Sequence, residues 1–423
     1  MLRKHSWAAG IAAVSSMGLW VLALAAAAPA AQAGTPPTLW VSAAPVAGGN
    51  GTSCAKPGYN SIQAAVTAAP SGATVEVCAG TYPEQVVITK SLTLNGTGGT
   101  ATVTLPASPA YSTACASTGT SEYGVDVCGK INVTLSHLAI NSAWPGGTCN
   151  DDLNAVFVAG GATLDFGHSA VTAAGAVPIN GCQGGIGVLV ISSHLKMWDA
   201  AISGYQKNGI TLKGKGTSAT IESTTVTGAG PTPVIAQNGI EVADGAAASI
   251  DGSTVSGNEC DHPVCGPDSL NQTQSTGVLF FNAAAGSQFT HSTAKGNDIG
   301  IYFYASSAAK TGAWITHDTI LDNRYEGICL DQGRAQIDRS RIRGGNVALQ
   351  VIQYLGQTPK VSSAAADDII GPSAVHAIQV YSDQASGDVP GKLTVSYSKI
   401  VGSVANNSPA GARITVVLKH TTT

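Results

Sequence analysis

Charged side chains are concentrated in one short segment of the chain. Residues 317–343 hold ten of them in 27 positions, about 37% against 11% for the whole sequence. Two carboxyl groups about 6.5–9.5 Å apart can protonate a leaving group and activate water. An arginine base beside calcium-binding carboxylates instead suits elimination from an acidic sugar. We therefore predict four catalytic residues in or next to this segment: Glu326, Asp331, Arg334 and Asp298. The alternative is a ladder of exposed salt bridges, each worth only about 0–1 kcal/mol.

Aromatic and amide side chains accompany these charges. They fall on alternate positions of short segments such as 277–281 and 300–304. Aromatic faces pack against the C–H faces of sugar rings, while carboxylates and amides bond to hydroxyl groups. We predict five substrate-binding residues: Phe281, Tyr302, Tyr304, Gln350 and Tyr381. A loop packed over these aromatic rings is the alternative that the sequence leaves open.

A repeat places these residues. An aliphatic residue, a small polar stretch, a second aliphatic residue and a turn recur from Ile221, Ile250, Phe289, Ile315 and Ile337, with weaker copies before them, at intervals of 22 to 39 residues. A strand with period-two alternation follows each turn. Two or three strands per repeat leave no room for a crossover helix. The pattern therefore predicts an all-β fold, a single-stranded right-handed parallel β-helix, in which the candidate residues share one outer stripe.

The alternation also predicts which side chains face inward and outward. The inward set is Ile240, Val242, Val278, Phe280, Ile301, Phe303, Ile328, Leu330, Leu349 and Val351. The outward set is Glu241, Leu279, Phe281, Tyr302, Tyr304, Cys329, Asp331, Gln350, Gln379 and Tyr381. A single coil cannot bury enough surface to be stable alone, so stacked neighbours and end covers are required. Residues 61–69 have helical spacing and are predicted to cap the first coil.

Composition excludes several classes of protein. The chain has 423 residues, 44% of them apolar, with 51 glycines and few charges. Disorder and charged helical bundles do not fit these values. A formal charge of −4 provides no basic surface for nucleic acid. We expect a monomer.

The N-terminus predicts export. Arg3 and Lys4 precede an apolar run over residues 8–28, and small residues follow at Ala31 and Ala33. This is the pattern of a secretory signal peptide, with an uncleaved membrane anchor as the alternative. The expected organisation is a signal peptide over 1–33, a lead-in over 34–60, a β-helix over 61–405 and a C-terminal strand or tail over 406–423. A secreted product without membrane contact follows, with a formal charge of −6.

Nine cysteines lie beyond the signal region. In an oxidising compartment, pairing of sequence neighbours predicts four disulfides: Cys54–Cys78, Cys115–Cys128, Cys149–Cys182 and Cys260–Cys265. The last pair encloses a short loop that could alternatively bind a metal. Cys329 remains outside this scheme.

Two other polar groups have alternative interpretations. His291 and His317 align across adjacent coils with Arg339, which predicts a stacked polar ladder in preference to a metal pair. The Asp151-Asp152 pair predicts a turn, with calcium binding as the alternative.

The opening of the repeat resembles a known superfamily. Residues 61–66, Gly80-Thr81-Tyr82-Pro83-Glu84, Val87-Ile88-Thr89-Lys90 and 92–96 are similar to the start of right-handed β-helix proteins of the pectate-lyase-like superfamily. The resemblance covers residues 60–400 and implies polysaccharide binding on the outer face of the Gly-Ile strands. In the polygalacturonases of this architecture, catalytic acids lie at the start of the equivalent strand, which corresponds to Glu326-Gly327-Ile328 here.

Three functions remain open at this stage. The first is a lyase or glycosidase that acts on extracellular polysaccharide near the predicted catalytic residues. The second is a noncatalytic surface or adhesion module that binds through the same face. The third is a structural spacer. No cofactor is required for any of them, and calcium is an additional ligand of the lyase hypothesis.

Overall fold

A computed structural model describes residues 36–44, 51–115, 122–144, 149, 152–267, 272–305, 312–353, 362–382, 391–408 and 414–423. The predicted signal peptide and Asp151 lie outside the described residues, and Asp152 is the first residue of a described range. The described residues contain one helix, α1 (Ile62–Ala68), and 36 strands. None of the described helices has the length and apolar character needed to cross a membrane.

The strands are short and follow one another without intervening helices. In chain order they are β1 Thr38–Val41, β2 Thr74–Pro83, β3 Val86–Ile88, β4 Leu92–Thr104, β5 Glu122–Cys128, β6 Asn132–Ser136, β7 Leu138–Trp144, β8 Leu153–Ala159, β9 Thr163–Gly167, β10 Ala170–Ala176, β11 Ile186–Ile191, β12 His194–Trp198, β13 Ala201–Ser203, β14 Asn208–Lys213, β15 Ser218–Glu222, β16 Thr225–Thr232, β17 Asn238–Ala243 and β18 Ala247–Asp251. The second half continues with β19 Thr254–Cys260, β20 Thr276–Phe281, β21 Ser287–Thr290, β22 Thr293–Lys295, β23 Ile299–Tyr304, β24 Gly312–Thr316, β25 Thr319–Leu321, β26 Glu326–Asp331, β27 Arg334–Asp338, β28 Arg341–Arg343, β29 Val347–Gln353, β30 Ser362–Ala366, β31 Ile369–Ile370, β32 His376–Ser382, β33 Gly391–Ser396, β34 Lys399–Ile400, β35 Val404–Asn406 and β36 Ile414–Lys419.

The strands form two parallel sheets that run the length of the solenoid. Sheet I contains 24 strands and sheet II contains 12. Sheet II consists of β3, β5, β8, β11, β14, β17, β20, β23, β26, β29, β32 and β35. Each of these strands pairs in parallel with the equivalent strand of the next coil, as β20 does with β23 and β23 with β26. This arrangement confirms the predicted parallel β-helix.

Aliphatic and aromatic columns fill the interior. All ten predicted inward side chains are buried, and none is more than 1% exposed. The rings of Phe280 and Phe303 contact each other from adjacent coils, with centroids 5.9 Å apart. The core therefore has the continuity that a repeat needs, because each coil buries its side chains against the next.

The helix α1 begins the solenoid, as predicted. It buries Ile62, Ala65 and Val66. The carboxylate of Glu84 accepts hydrogen bonds from the backbone N–H groups of Ile62 and Gln63, both at 2.8 Å. An acid at this position satisfies helix N–H groups that would otherwise lack partners.

Both ends of sheet I extend past the central coils. Strand β1, in the expected lead-in, pairs with β2. Strand β36, in the expected C-terminal strand or tail, pairs with β33 over Gly391–Ser396. The stacked register therefore continues from residue 38 to residue 419.

Turns between neighbouring strands of sheet I build an external ladder. Each turn contains one residue with positive φ, including His291 (48°), His317 (61°) and Arg339 (50°). The rings of His291 and His317 stack with centroids 4.8 Å apart, and Arg339 donates to Nε2 of His317 at 3.1 Å. His137 and His168 stack in the same way at 5.0 Å. These contacts confirm the predicted stacked polar ladder.

A second ladder lies beneath these turns and is buried. The backbone N–H of Ser292 donates to Asp318 (2.8 Å), that of Asp318 to Ser340 (3.2 Å), that of Ser340 to Asp368 (2.7 Å) and that of Asp368 to Ser398 (3.1 Å). Serine and aspartate side chains thus alternate along the axis. We call this set the hydroxyl–carboxyl ladder.

A third ladder consists of amides in the interior. The Nδ2 group of Asn258 donates to Oδ1 of Asn297 at 2.9 Å, and that of Asn297 donates to Oδ1 of Asn323 at 3.0 Å. Tyr205 closes one end by donating its hydroxyl to Oδ1 of Asn258 at 2.6 Å. These residues, which we call the amide ladder, connect four coils through side chains as well as through backbone pairing.

Four disulfides fix the loops that leave the coils. They join Cys54 to Cys78, Cys115 to Cys128, Cys149 to Cys182 and Cys260 to Cys265, as predicted. Cys329 takes part in none of them and is fully buried.

Candidate functional site

The outward side chains of sheet II form three rows, because equivalent residues of successive strands pair in register. We call this surface the sheet II outer face. Its first row contains Asn208, Asn238, Thr276, Ile299, Glu326 and Val347; its second contains Thr211, Glu241, Leu279, Tyr302, Cys329, Gln350 and Gln379; its third contains Phe281, Tyr304, Asp331, Ile352 and Tyr381. The predicted outward positions therefore share one face.

Two side-chain contacts on this face join β20, β23 and β26. Tyr302 donates its hydroxyl to Oδ2 of Asp331 at 2.8 Å. Phe281 and Tyr304 stack with ring centroids 4.9 Å apart and planes within 14°. Phe281 is 37% exposed, so one ring of this pair is open to solvent. The structure thus brings together two of the predicted binding residues and joins a third to a predicted catalytic carboxyl.

Burial changes the acidity of this carboxyl. Asp331 is only 3% exposed. Removal from water raises its pKa to about 6, although the hydrogen bond from Tyr302 partly opposes that shift. A carboxyl with such a pKa exchanges a proton near neutral pH and can serve as an acid or a base.

The part of the sheet II outer face on β26, β29 and β32 is less exposed to solvent than the sequence indicates. Cys329 and Ile352 form an apolar cluster with Ile299, and Tyr302 and Tyr381 pack against it. Gln350 is 7% exposed. The predicted binding residues Gln350 and Tyr381 therefore lie in or beside a packed surface, which matches the covered alternative for this end of the row.

Glu326 begins β26 and is buried, with 2% of its surface exposed. It pairs with Ile299 on one side and Val347 on the other. It therefore lies in the first row, on the same strand as Asp331. Its assignment as a catalytic residue remains a prediction.

Asp298 has a position suited to holding a loop. Its side chain is fully buried, and Oδ2 accepts from the backbone N–H groups of Cys260 (3.0 Å) and Ser275 (2.9 Å). Arg324 approaches the other oxygen at 3.7 Å. Burial raises the pKa of Asp298 to about 6, against the opposing effect of these hydrogen bonds. Asp298 thus anchors both ends of the segment that contains the Cys260–Cys265 disulfide.

Arg334 lies in the other sheet. It begins β27, a strand of sheet I, and pairs with Gly312. Its side chain lines a surface cavity together with Trp314 and Gln336. The structure therefore places Arg334 with a different set of neighbours from the sheet II outer face.

An amide–carboxylate cluster on the same face was missed as a site. Asn208 donates to Thr211 at 2.9 Å and also to the carboxylate of Glu241, and Asn238 donates to Asn208 at 3.0 Å. Thr276 donates to Asn238 at 2.7 Å. The repeated Asn-Gly at residues 208–209 and 238–239, at the start of two successive sheet II strands, is the sequence signal for this cluster.

Two shifted pKa values mark this cluster. Burial raises the pKa of Glu241, while the hydrogen bond from Asn208 and the charge of Lys207 oppose the shift. Burial also lowers the pKa of Lys207, opposed by the charge of Glu241. The opposite charges of Glu241 and Lys207 thus stabilise each other against the effect of burial.

One group of three metal-ligating side chains occurs among the described residues, with ligand atoms within 4.8 Å of each other: Cys115, Asp126 and Cys128. Both sulfurs belong to a disulfide, so they do not offer thiolates. Asp126 is fully buried, accepts from Ser112, and has a pKa raised to about 6 by burial.

Comparisons with known proteins agree with this fold. A family model described as "Right handed beta helix region" matches residues 184–363. The periplasmic alginate epimerase AlgG superimposes with a TM-score of 0.53 at 9% identity, over 83% of this chain and 76% of that chain. The protein therefore has a right-handed parallel β-helix fold.

Two further structures are similar at lower TM-scores. The mannuronan C-5 epimerase AlgE6 A-module of Azotobacter vinelandii has 13% identity over 85% of this chain and 93% of that chain, with a TM-score of 0.49. Pectate lyase Pel9A has 16% identity over 89% and 81%, with a TM-score of 0.39. No curated protein sequence matches the chain. The superposition on AlgG shows the fold alone, so the activity has to be argued from the site.

Proposed function

We propose that this protein binds an extracellular polysaccharide along the sheet II outer face. The observation that carries the proposal is the stacked pair of Phe281 and Tyr304, next to the hydrogen-bonded pair of Tyr302 and Asp331. Aromatic faces and carboxylates in adjacent coils provide the two kinds of contact that a sugar ring needs. The solved structures named above include an alginate epimerase and a pectate lyase, which supports a polysaccharide as the ligand class.

The amide–carboxylate cluster extends this surface in the opposite direction from the covered end. Asn238 and Glu241 are half-buried and lie one coil before Thr276 and Leu279. Coils are about 4.8 Å apart, so a chain lying along the axis meets these polar groups within about 10 Å of the aromatic pair. A polymer, with its repeated units, suits such a repeated surface better than a single small molecule.

Acid–base modification of the polymer is the second candidate, and Asp331 favours it. Its raised pKa and its contact with a phenol suit proton transfer at neutral pH. Under this hypothesis calcium is an additional ligand that an acidic polymer would bring into contact with carboxylates. The noncatalytic module uses the same face without this step. Both versions assume a monomer that is exported after removal of residues 1–33.

The binding hypothesis predicts the effect of losing one ring. Phe281→Ala removes half of the stacked pair, and we expect binding to weaken about tenfold, since such contacts contribute about 0.5–1.5 kcal/mol beyond burial. Affinity electrophoresis in gels that contain alginate, polygalacturonate or neutral polymers measures this change. Tyr397→Ala is the control, because Tyr397 also stacks on a neighbouring ring but in a turn of sheet I. Equal retardation of wild type and Phe281→Ala in every gel would contradict the proposal.

The catalytic hypothesis needs a separate measurement. Wild-type protein is incubated with the same polymers, with and without calcium, and assayed for reducing ends, for unsaturated uronate and for altered uronate stereochemistry. We expect Asp331→Asn to abolish any product and Asp322→Asn, an exposed carboxyl in the same charged segment, to retain it. Binding without product from any polymer would favour the noncatalytic module.

A further inference from the structure

Two tryptophans of sheet I, Trp314 and Trp198, line surface cavities away from the site described above. Trp314, on β24, is 50% exposed and lines a surface cavity of about 240 Å³ with Arg334 and Gln336. Trp198, at the end of β12, is half-buried and lines a second cavity of about 300 Å³ with Lys196 and Glu222. Leaving half of an indole in water forfeits part of the stabilisation that its burial would give, so an exposed tryptophan in a concave polar setting suggests a ligand.

The indole of Trp198 is held in a fixed position. A Cβ atom on Gly167, its partner in the preceding coil, would lie only 2.2 Å from the indole ring. The indole therefore lies directly against the backbone of Gly167. His168 contacts the ring edge-on, with centroids 6.4 Å apart. A ring fixed in this way loses little conformational freedom when it binds a ligand.

The register of the sheet places the two tryptophans in neighbouring rows. The row of Trp198 continues through Glu222, Asp251, Thr290 and Thr316, so four coil spacings separate Trp198 from the coil of Trp314. At about 4.8 Å per coil the separation along the axis is about 19 Å. The adjacent row between Lys196 and Trp314 contains only polar side chains, which are Thr220, Ser249 and Gln288.

The polar groups around the tryptophans are nearly balanced in charge. Lys196 lies 3.9 Å from Asp165 in the first cavity, where Glu222 is also exposed. Arg334 supplies the positive charge in the second cavity. Asp165 and Glu222 would repel a strongly anionic polymer. An apolar protein segment would leave the hydroxyl and amide side chains between the rings without hydrogen-bond partners. An uncharged chain with many hydroxyl groups fits both the rings and the polar side chains.

We propose that the outer face of sheet I between Trp198 and Trp314 is a second glycan-binding surface that takes an uncharged polysaccharide chain. The two indoles stack on sugar rings about 19 Å apart, and the intervening threonine, serine and glutamine side chains bond to hydroxyl groups. This surface is independent of the sheet II outer face, so one molecule can contact two polymer chains. Two attachment points on a rigid solenoid raise the overall avidity for a polymer network.

Affinity electrophoresis tests this surface directly. The gels contain hydroxyethyl cellulose, xyloglucan, galactomannan, arabinoxylan or a soluble β-1,3-glucan. We expect at least one of these polymers to retard the wild-type protein, and Trp314→Ala and Trp198→Ala each to weaken that retardation at least fivefold. Tyr397→Ala should retain it, because Tyr397 does not belong to this surface.

Gly167→Ala provides a variant that keeps both indoles. Its methyl group displaces the indole of Trp198 without removing it, so we expect the same loss of retardation as in Trp198→Ala, with an unchanged circular dichroism spectrum. Absence of retardation by all five polymers would overturn the proposal, as would tryptophan variants that bind like the wild type. A loss of neutral-polymer binding in Phe281→Ala alone would assign that binding to the sheet II outer face instead.

Discussion

Replacing Asn297 by alanine will lower the free energy of unfolding by about 3–5 kcal/mol. Oδ1 of Asn297 accepts from both the backbone N–H (3.1 Å) and the Nδ2 group (2.9 Å) of Asn258, and its own Nδ2 donates to Asn323 at 3.0 Å. All three asparagines are buried, so alanine leaves several polar atoms without partners and away from water. Each such atom costs about 1–3 kcal/mol, and the expected total is reduced because some of them rearrange.

Chemical denaturation with circular dichroism measures this change. Gln288→Ala is a suitable control, because Gln288 is an exposed amide on a neighbouring strand of sheet I, and we expect it to change stability by less than about 0.5 kcal/mol. Asn297→Ser, which restores a small polar group, should recover part of the loss. If Asn297→Ala unfolds at the same denaturant concentration as the wild type, the amide ladder does not couple the coils.

The sequence repeat predicts the architecture because each coil has to bury the same pattern of side chains. Every strand of sheet II has to bury alternate side chains, so Ile301 and Phe303 alternate with Tyr302 and Tyr304 both in the sequence and in the structure. Pairing in register then places Tyr302 beside Cys329, so that its hydroxyl reaches Asp331, which is 29 positions later in the chain. The shared outer stripe was predictable for this reason, since a stacked solenoid turns sequence periodicity into spatial proximity.

The start of each sheet II strand breaks the simple alternation. Strict period two would place Ile299 inward with Ile301, but Ile299 belongs to the outer cluster with Cys329, whereas Ile301 is in the core. Gly300 lies between them, and a Cβ atom there would meet Ile320 of the core at 2.8 Å. The glycine thus takes a core-facing position that has no side chain. An alternation pattern counts only side chains, so it could not reveal this irregularity.

The burial of the two predicted acids, Asp298 and Glu326, could not be predicted from the sequence either. Glu326 is predicted from its place before a glycine at the start of a strand, and Asp298 from its place at the start of the equivalent strand one coil earlier. The structure instead uses Asp298 to hold the backbone of Cys260 and Ser275, which lie 38 and 23 residues earlier. Loops of this kind have no repeat, so their contacts cannot be inferred from periodicity. The charged segment 317–343 likewise divides between the two sheets, which separates Arg334 from the sheet II strand that carries Asp331.

The protein is expected to lose stability as the pH rises from about 4 to about 8, through the two carboxyls of the hydroxyl–carboxyl ladder. Burial is the main cause that raises the pKa of Asp318 to about 8 and that of Asp368 to about 7, from about 3.8 in an unfolded chain. The folded state therefore retains protons that the unfolded state has released. Stability is complete below the unfolded pKa and decreases until the pH passes the folded pKa of each group.

The expected size of this effect follows from the two pKa values. Each group contributes a decrease of about 1.4 kcal/mol per pH unit within its own range. For both groups that range begins near pH 4, and it ends near pH 7 for Asp368 and near pH 8 for Asp318. Ordered hydrogen bonds from Ser292 and Ser340 to these carboxyls oppose the shift only in part.

Asp318→Asn isolates the contribution of one carboxyl, because an asparagine keeps the oxygen that accepts from Ser292 and carries no charge at any of these pH values. We expect the variant to be more stable than the wild type at pH 8, by a few kcal/mol, and close to it at pH 4, when denaturant unfolding is measured at each pH. Asp322→Asn removes an exposed carboxyl of the same charged segment and should leave the pH dependence unchanged. The contrary result is a difference in the free energy of unfolding between the two proteins that is the same at pH 4 and at pH 8. Asp318 would then not be protonated in the folded state, and the ladder would have to hold a buried negative charge.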